Sequence, residues 1–320
     1  MNSSFKKALI LMTLLISCPS AFAYDFKVGD LCYDLLSETT CAITNGKCSG
    51  YSTIPCEVTY NRKTYTVTDI KARAFSDCSD LISITIAGTI TNIGNYAFYG
   101  CSGLTAISIS NSVTAIKNST FCGCSSLTNV TLPNSVTYIG DNAFKDCSSL
   151  ARITLPKSVT TIGYCAFSGC SSLTVITIPN FVSTIRNSTF CQSTNLTIVN
   201  IGNGVKSIGK YAFFYCTSMT KFIVNVQVPP TCDNEALDGI NKEMCTLYVP
   251  TAGMNAYKVA DQWKEFFHYT SIETGIGSMK SDNATETERY NLDGTRLTTL
   301  QKGINIVRMS DGTTRKVMVK

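Results

Sequence analysis

Charged side chains are scarce in this sequence. Only 15% of its 320 residues are Asp, Glu, Lys or Arg, whereas an ordinary globular domain carries about 25%. Ser, Thr and Asn fill many of the remaining polar positions, so hydroxyl and amide groups must solvate much of the surface. The net charge is +5, and the basic residues are scattered along the chain. So weak a basic footprint is not typical of a protein that binds nucleic acid.

Histidine is almost absent, with His268 as the single copy. Any Ser-His-Asp or Cys-His catalytic site would have to use it, but it lies among the aromatic residues between Phe266 and Tyr269, where it is better explained as part of a cap. Zinc sites require close ligand spacing such as C-x2-C, which Cys122 and Cys124 do not supply. Calcium loops and a complete nucleotide-binding glycine motif are also missing. The sequence therefore predicts no enzyme, no cofactor and no metal site.

Long apolar runs are missing after residue 23, and a membrane-spanning helix needs about 20 apolar residues. Before that point, Lys6 and Lys7 precede an apolar run at residues 8–16, and Ala21 and Ala23 provide the small residues of a cleavage site. Residues 1–23 are therefore predicted to be a signal peptide. As an alternative, residues 15–18 resemble a bacterial lipobox, which would leave a lipid anchor on Cys18. Either interpretation predicts a mature protein that is secreted or held at the cell surface, on the outer membrane of a bacterium.

What the chain has in abundance is one 23-residue unit, which occurs seven times between residues 67 and 224. Its consensus is S-V-T-x-I-G-x-x-A-F-x-x-C-x-S-L-T-x-I-T-I-P-x. A fixed period of this length predicts a solenoid, here mostly β with short helical turns. The phenylalanine of the unit occupies Phe75, Phe98, Phe121, Phe144, Phe167, Phe190 and Phe213.

Each unit divides into three segments. L-T-x-I-T-I alternates apolar and polar residues as a strand does, S-V-T-x-I forms a second short strand, and A-F-x-x-C forms a compact or helical turn between strands. The six or seven apolar side chains of a unit contribute about 10–20 kcal/mol on burial, less than the roughly 23–46 kcal/mol of backbone entropy lost by 23 residues. A single unit therefore cannot fold alone, and stacking must provide the difference.

The sixteen cysteines do not have the distribution of a disulfide framework. Six of them share one position of the unit, where stacking would align them in an interior column as small apolar fillers, and Ser193 replaces the cysteine in the sixth unit. Four others precede the repeats, and we hypothesise that they form two disulfides, with free thiols as the alternative. These four are Cys32, Cys41, Cys48 and Cys56.

The segments outside the repeats suggest caps and a tail. Residues 24–66 contain short strands and predict an N-terminal cap, while residues 225–272 contain a decayed repeat and predict a C-terminal cap. Tyr257, Ala260, Trp263 and Phe267 follow a spacing of three and four, which indicates an amphipathic helix. Residues 273–288 are rich in Gly, Ser, Thr and Asn and predict a flexible linker, and residues 289–320 predict a small strand-rich module.

The polar positions of the first strand predict an outward face. Solenoids commonly bind partners on such a sheet, although Ser and Thr could serve only as soluble strand formers. Its C-terminal end is predicted to be the more apolar, through Val175, Ile198, Phe222 and Ile223. The candidate ligand-binding residues are Thr85, Ser108, Thr131, Arg152, Thr154, Val175, Thr177, Ile198, Asn200, Lys221 and Ile223.

With these units in view, residues 24–272 resemble the leucine-rich repeats of BspA-like bacterial surface proteins. The block at residues 60–65 is similar to the usual start of such arrays, and Leu247-Tyr248-Val249-Pro250 through Trp263 is similar to their usual finish. The resemblance implies a leucine-rich repeat solenoid that is exported and adheres to a host extracellular-matrix or microbial surface, through protein or glycan. It supplies no catalytic residues. A structural surface spacer without a dedicated ligand is the alternative function.

The C-terminal residues resemble a different element. The stretches at residues 290–297, 302–308 and 317–320 are similar to the end of the sorting segment used in type IX secretion. This resemblance implies transport across an outer membrane. The sequence leaves open the ligand, the oligomeric state and whether the tail is removed.

Overall fold

The computed structural model describes residues 24–46, 48–272, 286–291, 295–299, 301–309 and 314–319. The predicted signal peptide with Cys18 and most of the predicted linker lie outside the described residues. The chain divides into two units between Thr270 and Ser271. The first unit holds the repeats and their caps, and the second holds a small sheet. Among the described residues, no helix is both long and apolar enough to cross a bilayer.

Strands dominate the described residues, whose helix is limited to one short segment, α1 (Met254–Tyr257), and two 3₁₀ turns at Thr251–Gly253 and Trp263–Glu265. The described strands are, in chain order, β1 (Phe26–Val28), β2 (Leu31–Leu35), β3 (Thr40–Gly46), β4 (Gly50–Thr53), β5 (Glu57–Tyr60), β6 (Lys63–Ile70), β7 (Leu81–Thr85), β8 (Asn92–Ile93), β9 (Ala106–Ser108), β10 (Ala115–Ile116), β11 (Asn129–Thr131), β12 (Tyr138–Ile139), β13 (Thr161–Ile162), β14 (Val175–Ile178), β15 (Thr184–Ile185), β16 (Ile198–Ile201), β17 (Ser207–Ile208), β18 (Lys221–Val224), β19 (Thr231–Cys232), β20 (Thr246–Pro250), β21 (His268–Ile272), β22 (Glu286–Tyr290), β23 (Gly303–Met309) and β24 (Thr314–Val319).

The predicted leucine-rich repeat solenoid is confirmed, and each turn has three sides. The longer strand of each unit except the fourth joins what we call the wide sheet, in the orders β4-β7-β9-β11 and β14-β16-β18-β20-β21. The shorter strand joins the narrow sheet, which contains β10-β12-β13 and β15-β17-β19. Neighbouring repeat strands are parallel and in register, so Ile107 lies beside Val130 and Thr85 beside Ser108.

The third side of each turn carries A-F-x-x-C, which forms tight turns and not a helix. The turns of successive units are themselves hydrogen-bonded, since the amide of Phe75 donates to Ala97 O at 2.8 Å and the amide of Phe144 to Ala166 O at 2.8 Å. Residues with positive φ, such as Tyr96 at 59° and Gly100 at 69°, turn successive amides toward the next unit. A third ladder therefore runs along the solenoid beside the two sheets.

Phenylalanine fills the interior behind this third ladder. The seven rings are fully buried and stack in one column, with neighbouring centroids 5.2–5.6 Å apart. Adjacent inward columns of Leu and Ile, such as Leu104 and Ile116, are buried as well. The core is therefore a set of continuous columns along the solenoid axis, as the repeat period predicts.

The cysteine column is buried from Cys101 onward, with Cys78 half-buried at its start, and it does more than fill space. Cys147 donates its thiol hydrogen to Phe121 O at 3.1 Å, and Cys170 donates to Phe144 O at 3.2 Å. Ser193 donates in the same way to Phe167 O at 3.0 Å. The serine of the sixth unit thus retains the polar function of the position.

The N-terminal cap pairs its strands in the order β1-β2-β3-β6-β5 and packs Phe26 on Tyr33 with ring centroids 5.1 Å apart. The hypothesis of two disulfides here is wrong for this structure. Cys32, Cys41 and Cys48 are buried free thiols, and Cys56 is an exposed one. The apolar cluster that surrounds Cys41 and Cys48 is continuous with the repeat core, so packing on the first repeat stabilises the cap without a covalent bridge.

The C-terminal cap differs from its prediction. A continuous amphipathic helix is wrong, because α1 ends at Tyr257 and Trp263 begins a separate 3₁₀ turn. Trp263 is buried and donates from Nε1 to Pro230 O at 2.8 Å. Phe267, predicted on the buried face, is 69% exposed, and Phe266 is buried in its place.

His268, predicted to be part of the cap, begins β21, the last strand of the wide sheet, where it is exposed. The second unit contains the antiparallel sheet β22-β23-β24. Its described core includes Val307 and Met309, and Arg289 pairs with Glu286 at 2.6 Å.

Candidate binding face of the wide sheet

The eleven predicted site residues lie on the outer face of the wide sheet in two adjacent columns. One column contains Arg152, Val175, Ile198 and Lys221, paired in register from strand to strand. The other runs from Thr85 to Ile223. Eight of the eleven are exposed, whereas Ile198, Asn200 and Ile223 are half-buried. The other members of these two columns are Ser108, Thr131, Thr154, Thr177 and Asn200.

One residue of the predicted apolar end is misplaced. Phe222 alternates with Lys221 and Ile223 along β18, so it points inward, and it is fully buried. Its ring lies 5.5 Å from that of Trp263, centroid to centroid. The exposed apolar character of this end therefore depends on Val175, which is 40% exposed, with the half-buried Ile198 and Ile223.

Threonine side chains hold the wide sheet together at the start of its strands. Each repeats the backbone ladder with its hydroxyl, as Thr128 donates to Thr105 O at 3.1 Å and Thr197 donates to Thr174 O at 2.9 Å. The fourth unit has Ala151 at this position and lacks the hydroxyl. Within the described part of the chain, the amide of Ala151 also makes no bond to Thr128 O, although its equivalents do.

The opposite end of the same strand lacks donors too. In the sixth and seventh units the residue after the strand donates across the ladder, as Gly202 does to Ile178 O at 3.0 Å. Pro156 and Pro179 have no amide hydrogen to donate. With both ends weakened, the fourth strand is reduced to a single bridge between Arg152 and Val175, and the wide sheet is divided into two.

A groove occupies this division. Its larger part has a volume of about 1020 Å³ and is lined by residues that include Arg152, Thr154, Lys157, Val175 and Thr177. A contiguous part of about 310 Å³ shares Arg152 and Thr154 and extends toward Asn129 and Thr131. Five predicted site residues, Thr131, Arg152, Thr154, Val175 and Thr177, therefore meet in one concave feature, and the other six lie on the flatter sheet to either side.

The groove is positively charged. Arg152 and Lys157 are exposed, and the ion pairs of the described residues include neither of them. No Asp or Glu is among the residues that line the groove. The two outward columns also carry no carboxylate between β7 and β20. An unpaired guanidinium beside hydroxyls and an apolar floor suits an acidic or polar partner surface.

Sequence reasoning missed Lys157 and Asn134 because both follow the strand, in the loop after Pro156 and Pro133, whereas only strand positions were considered. The signal that could have located the groove is the loss of the unit's threonine at Ala151, in a unit whose strand is followed by proline. Nothing in the described residues gathers three or more His, Cys, Asp or Glu side chains that could hold a metal ion. The face offers recognition chemistry, with hydroxyls, an amide and cations on a rigid sheet.

The repeat itself matches a known family. Residues 54–156 and 114–237 match the BspA type leucine rich repeat region, in 6 copies, and together these ranges cover more than half of the chain. The chain belongs to the BspA-type leucine-rich repeat family.

Solved structures of leucine-rich repeat proteins resemble this BspA-type chain. A leucine-rich repeat protein from Bacteroides ovatus has a TM-score of 0.54 at 24% identity, over 78% of this chain and 77% of that one. The leucine-rich repeat protein of T. pallidum has a TM-score of 0.52 at 26% identity, over 59% of this chain and 88% of that one. These likenesses establish the solenoid fold. No curated protein matches the chain significantly.

Proposed function

We propose that this BspA-type protein acts without catalysis as an extracellular binding protein, and that the outer face of its wide sheet contacts a host-matrix or microbial surface protein or glycan. The observation that carries the proposal is the groove of about 1020 Å³ at Arg152, Thr154 and Lys157. It combines exposed cations without carboxylate partners and strand hydroxyls at the one place where the wide sheet opens.

The chemistry of this face favours a partner with acidic groups. Arg152 can bind a carboxylate or sulfate with two parallel hydrogen bonds, and Lys157 adds a second positive charge. Thr131, Thr154 and Thr177 provide donors and acceptors at regular spacing along the sheet. Membership of the BspA-type family supports the surface location, and the absence of enzymatic activity remains a prediction.

The test is binding of labelled protein, residues 24–320, to a panel of matrix proteins, sulfated and carboxylated glycans, and microbial cells. We expect saturable binding to at least one acidic partner. The double variant Arg152→Glu, Lys157→Glu should weaken it at least tenfold, because each reversed charge replaces attraction with repulsion. Lys206→Glu is the matched control, since Lys206 is exposed on another side of the solenoid.

A second variant tests the groove without changing its charge. Ala151→Thr restores the hydroxyl that should bond Thr128 O, as Thr128 bonds Thr105 O. We expect the fourth strand to rejoin the sheet, the free energy of unfolding to rise by about 0.5–1 kcal/mol, and binding to weaken. Binding that both the charge reversal and Ala151→Thr leave unchanged would contradict the proposal.

The alternative function is a stiff surface spacer. The observation that favours it is the continuous ladder of turns, which runs from the amide of Phe75 to Ala236 O and stabilises the array whether or not a ligand binds. Failure of every panel member to bind saturably would favour the spacer over the binding protein.

For the second unit we propose a role in sorting at the cell envelope. Support comes from its antiparallel sheet β22-β23-β24, which belongs to a unit separate from the solenoid, and from the sequence resemblance at residues 290–320. Expressed in a bacterium with a type IX route, the full chain should reach the outer surface, and a chain ending at Ile272 should remain in the periplasm. Equal surface amounts of the two chains would contradict this role.

A further inference from the structure

Glycine permits close approach of successive units along the narrow sheet. The amide of Gly140 donates to Ile116 O at 2.7 Å. A Cβ at Gly140 would lie 2.7 Å from Asn118 N and 2.7 Å from Lys117 C, far inside normal contact distance, so no larger residue fits while the ladder bond is kept. Four of the seven units have this glycine, at Gly94, Gly140, Gly163 and Gly209.

The other three units have a long basic residue in place of the glycine, and two of these three lie between regular units. These two read I-K-N-S-T-F-C at residues 116–122 and I-R-N-S-T-F-C at residues 185–191. Within the described residues, the amide of Lys117 makes no bond to Ile93 O and that of Arg186 makes none to Ile162 O. The narrow sheet is divided at these two steps, because β8 does not pair with β10 and β13 does not pair with β15.

At the two ends of the array, a residue other than glycine keeps the ladder bond. Lys71 meets the N-terminal cap and bonds Ile43 O, and Asp233 follows a longer unit and bonds Ile208 O. Between regular units, the change from glycine to Lys or Arg coincides with each gap in the narrow sheet.

The two gaps differ in what occupies them. Lys117 reaches back across its gap and donates from Nζ to Asn92 Oδ1 at 2.6 Å. Arg186 instead lies over the ring of Tyr164, with its guanidinium carbon 5.0 Å from the ring centroid. Tyr164 occupies the position at which Asn95, Asn118 and Asp141 accept the next unit's amide with their side chains. The Asn118 Oδ1 atom, for example, accepts from Asp141 N at 3.0 Å.

The second gap is consequently an open cleft of about 360 Å³. Its lining combines the Arg186 and Tyr164 pair with hydroxyls, the Asn187 amide and the Asp233 carboxylate. Arg186 belongs to no ion pair among the described residues. The hydroxyls of Thr184 and Ser207 bond each other at 3.0 Å within the lining.

We propose that this cleft binds a single acidic sugar unit, a pyranose ring that carries a carboxylate. The guanidinium of Arg186 provides two parallel donors for the carboxylate. The Tyr164 ring offers an apolar face to the sugar's C–H groups while its hydroxyl remains polar. Asn187, Asp233 and the threonine hydroxyls donate to and accept from the ring hydroxyls. The volume is near the lower end of small-molecule sites, which fits one sugar unit.

This site is separate from the groove of the wide sheet, and its test is independent. Binding of the methyl glycosides of glucuronic acid and N-acetylneuraminic acid to residues 24–320 would be measured by titration calorimetry and saturation-transfer NMR, with methyl glucoside as the neutral probe. We expect saturable binding of an acidic sugar in the millimolar range and binding of the neutral one at least tenfold weaker.

The variant Arg186→Gly has the glycine that four other units have at this position, so it should fold. A thermal unfolding curve checks that it does. We expect it to weaken acidic-sugar binding at least tenfold, whereas the matched variant Lys117→Gly and the groove variant Arg152→Glu leave it unchanged. Absence of acidic-sugar binding, equal binding of the neutral sugar, or binding that survives Arg186→Gly would each overturn the proposal. If Arg152→Glu abolishes binding of the surface partner but not of the acidic sugar, the result bears on the groove of the wide sheet and supports a separate cleft at Arg186.

Discussion

At the scale of the residue, the interior column of thiols shows how one side chain serves packing and hydrogen bonding together. Cys101, Cys124 and Cys147 each donate to the carbonyl of a phenylalanine 26 residues earlier. The same carbonyl accepts a turn amide, as Phe121 O does from Cys124 at 3.2 Å. The thiol thus joins successive turns, and Ser193 shows that a hydroxyl can replace it.

A pair of substitutions at Cys147 separates the two contributions. We expect Cys147→Ser to retain the bond to Phe121 O and to change the free energy of unfolding by less than about 1 kcal/mol. Cys147→Ala loses the donor and leaves a small void, and should cost about 1–2 kcal/mol. Urea unfolding monitored by circular dichroism measures both. A serine variant less stable than the alanine variant would contradict the assigned hydrogen bond.

The buried thiols also predict the response to alkali. Burial raises the pKa of Cys41 to about 11 and that of Cys245 to about 12, from an ordinary value of 9.0. Because the folded state holds these protons more tightly than the unfolded chain, their contribution to stability is complete below pH 9 and is lost as pH rises from 9 through 11–12. The free energy of unfolding should fall across that window, and urea titrations at several pH values measure the slope.

Thiol labelling supplies the control for that experiment. At pH 8 in native buffer, iodoacetamide should modify the exposed Cys56 rapidly and the buried Cys41 and Cys245 only after unfolding. Mass spectrometry of peptides gives the order of modification. Rapid native labelling of Cys41 would contradict the burial on which the alkaline prediction depends.

At the scale of the element, each of the two sheets depends on one small or polar residue per unit. The wide sheet depends on a threonine, and it opens at Ala151. The narrow sheet depends on a glycine between regular units, and it opens at Lys117 and Arg186. The groove at Arg152 and the cleft at Arg186 therefore both lie where a unit departs from the consensus. The consensus residues keep neighbouring strands paired.

A glycine pair tests this dependence. A Cβ at Gly163 would overlap the backbone of Gly140 and Asp141, whereas one at Gly88 would meet nothing within 4 Å. We expect Gly163→Ala to lower the free energy of unfolding by about 1–3 kcal/mol through overpacking. Gly88→Ala should be neutral or raise it by about 0.4–1 kcal/mol. Equal effects in denaturant titrations would show that close approach at Gly163 is not required.

Much of the fold was predictable because the period alone places Phe98, Leu104 and Ile116 in interior columns. The groove was not predictable, because it results from Ala151 together with two prolines in adjacent units. A consensus sequence does not show such departures of single units. The predicted helix failed at Trp263 for a related reason. A spacing of three and four is also compatible with two short turns. The indole of Trp263 bonds Pro230 O, a distant carbonyl that the spacing does not reveal.

At the scale of the whole molecule, every turn depends on its neighbours, and the ends depend on their caps. Phe26 and its aromatic neighbours cover the first turn, and Trp263 with Phe266 covers the last, next to Phe222. An uncovered end exposes unpaired ladder groups and apolar columns, which favour association.

Truncation tests the C-terminal cap. A chain of residues 24–224 should lose cooperative unfolding and aggregate, because Phe222 and the last strand become exposed. A chain ending at Ile272 keeps β21 and the cap, and should retain the oligomeric state of the full chain. Size-exclusion chromatography with light scattering distinguishes them. A soluble, cooperatively unfolding chain ending at residue 224 would contradict the need for the cap.

The three ladders also determine how the molecule would respond to tension on a cell surface. Nearly all their hydrogen bonds join one turn to the next. A pull on the chain termini therefore breaks the bonds of the terminal turn first and then those of each following turn. Each released turn adds 23 residues, or about 76–83 Å of extended chain. An anchored array of this kind would therefore lengthen in steps of equal size, and the steps at Ala151, Lys117 and Arg186 would need less force because fewer bonds join the turns there.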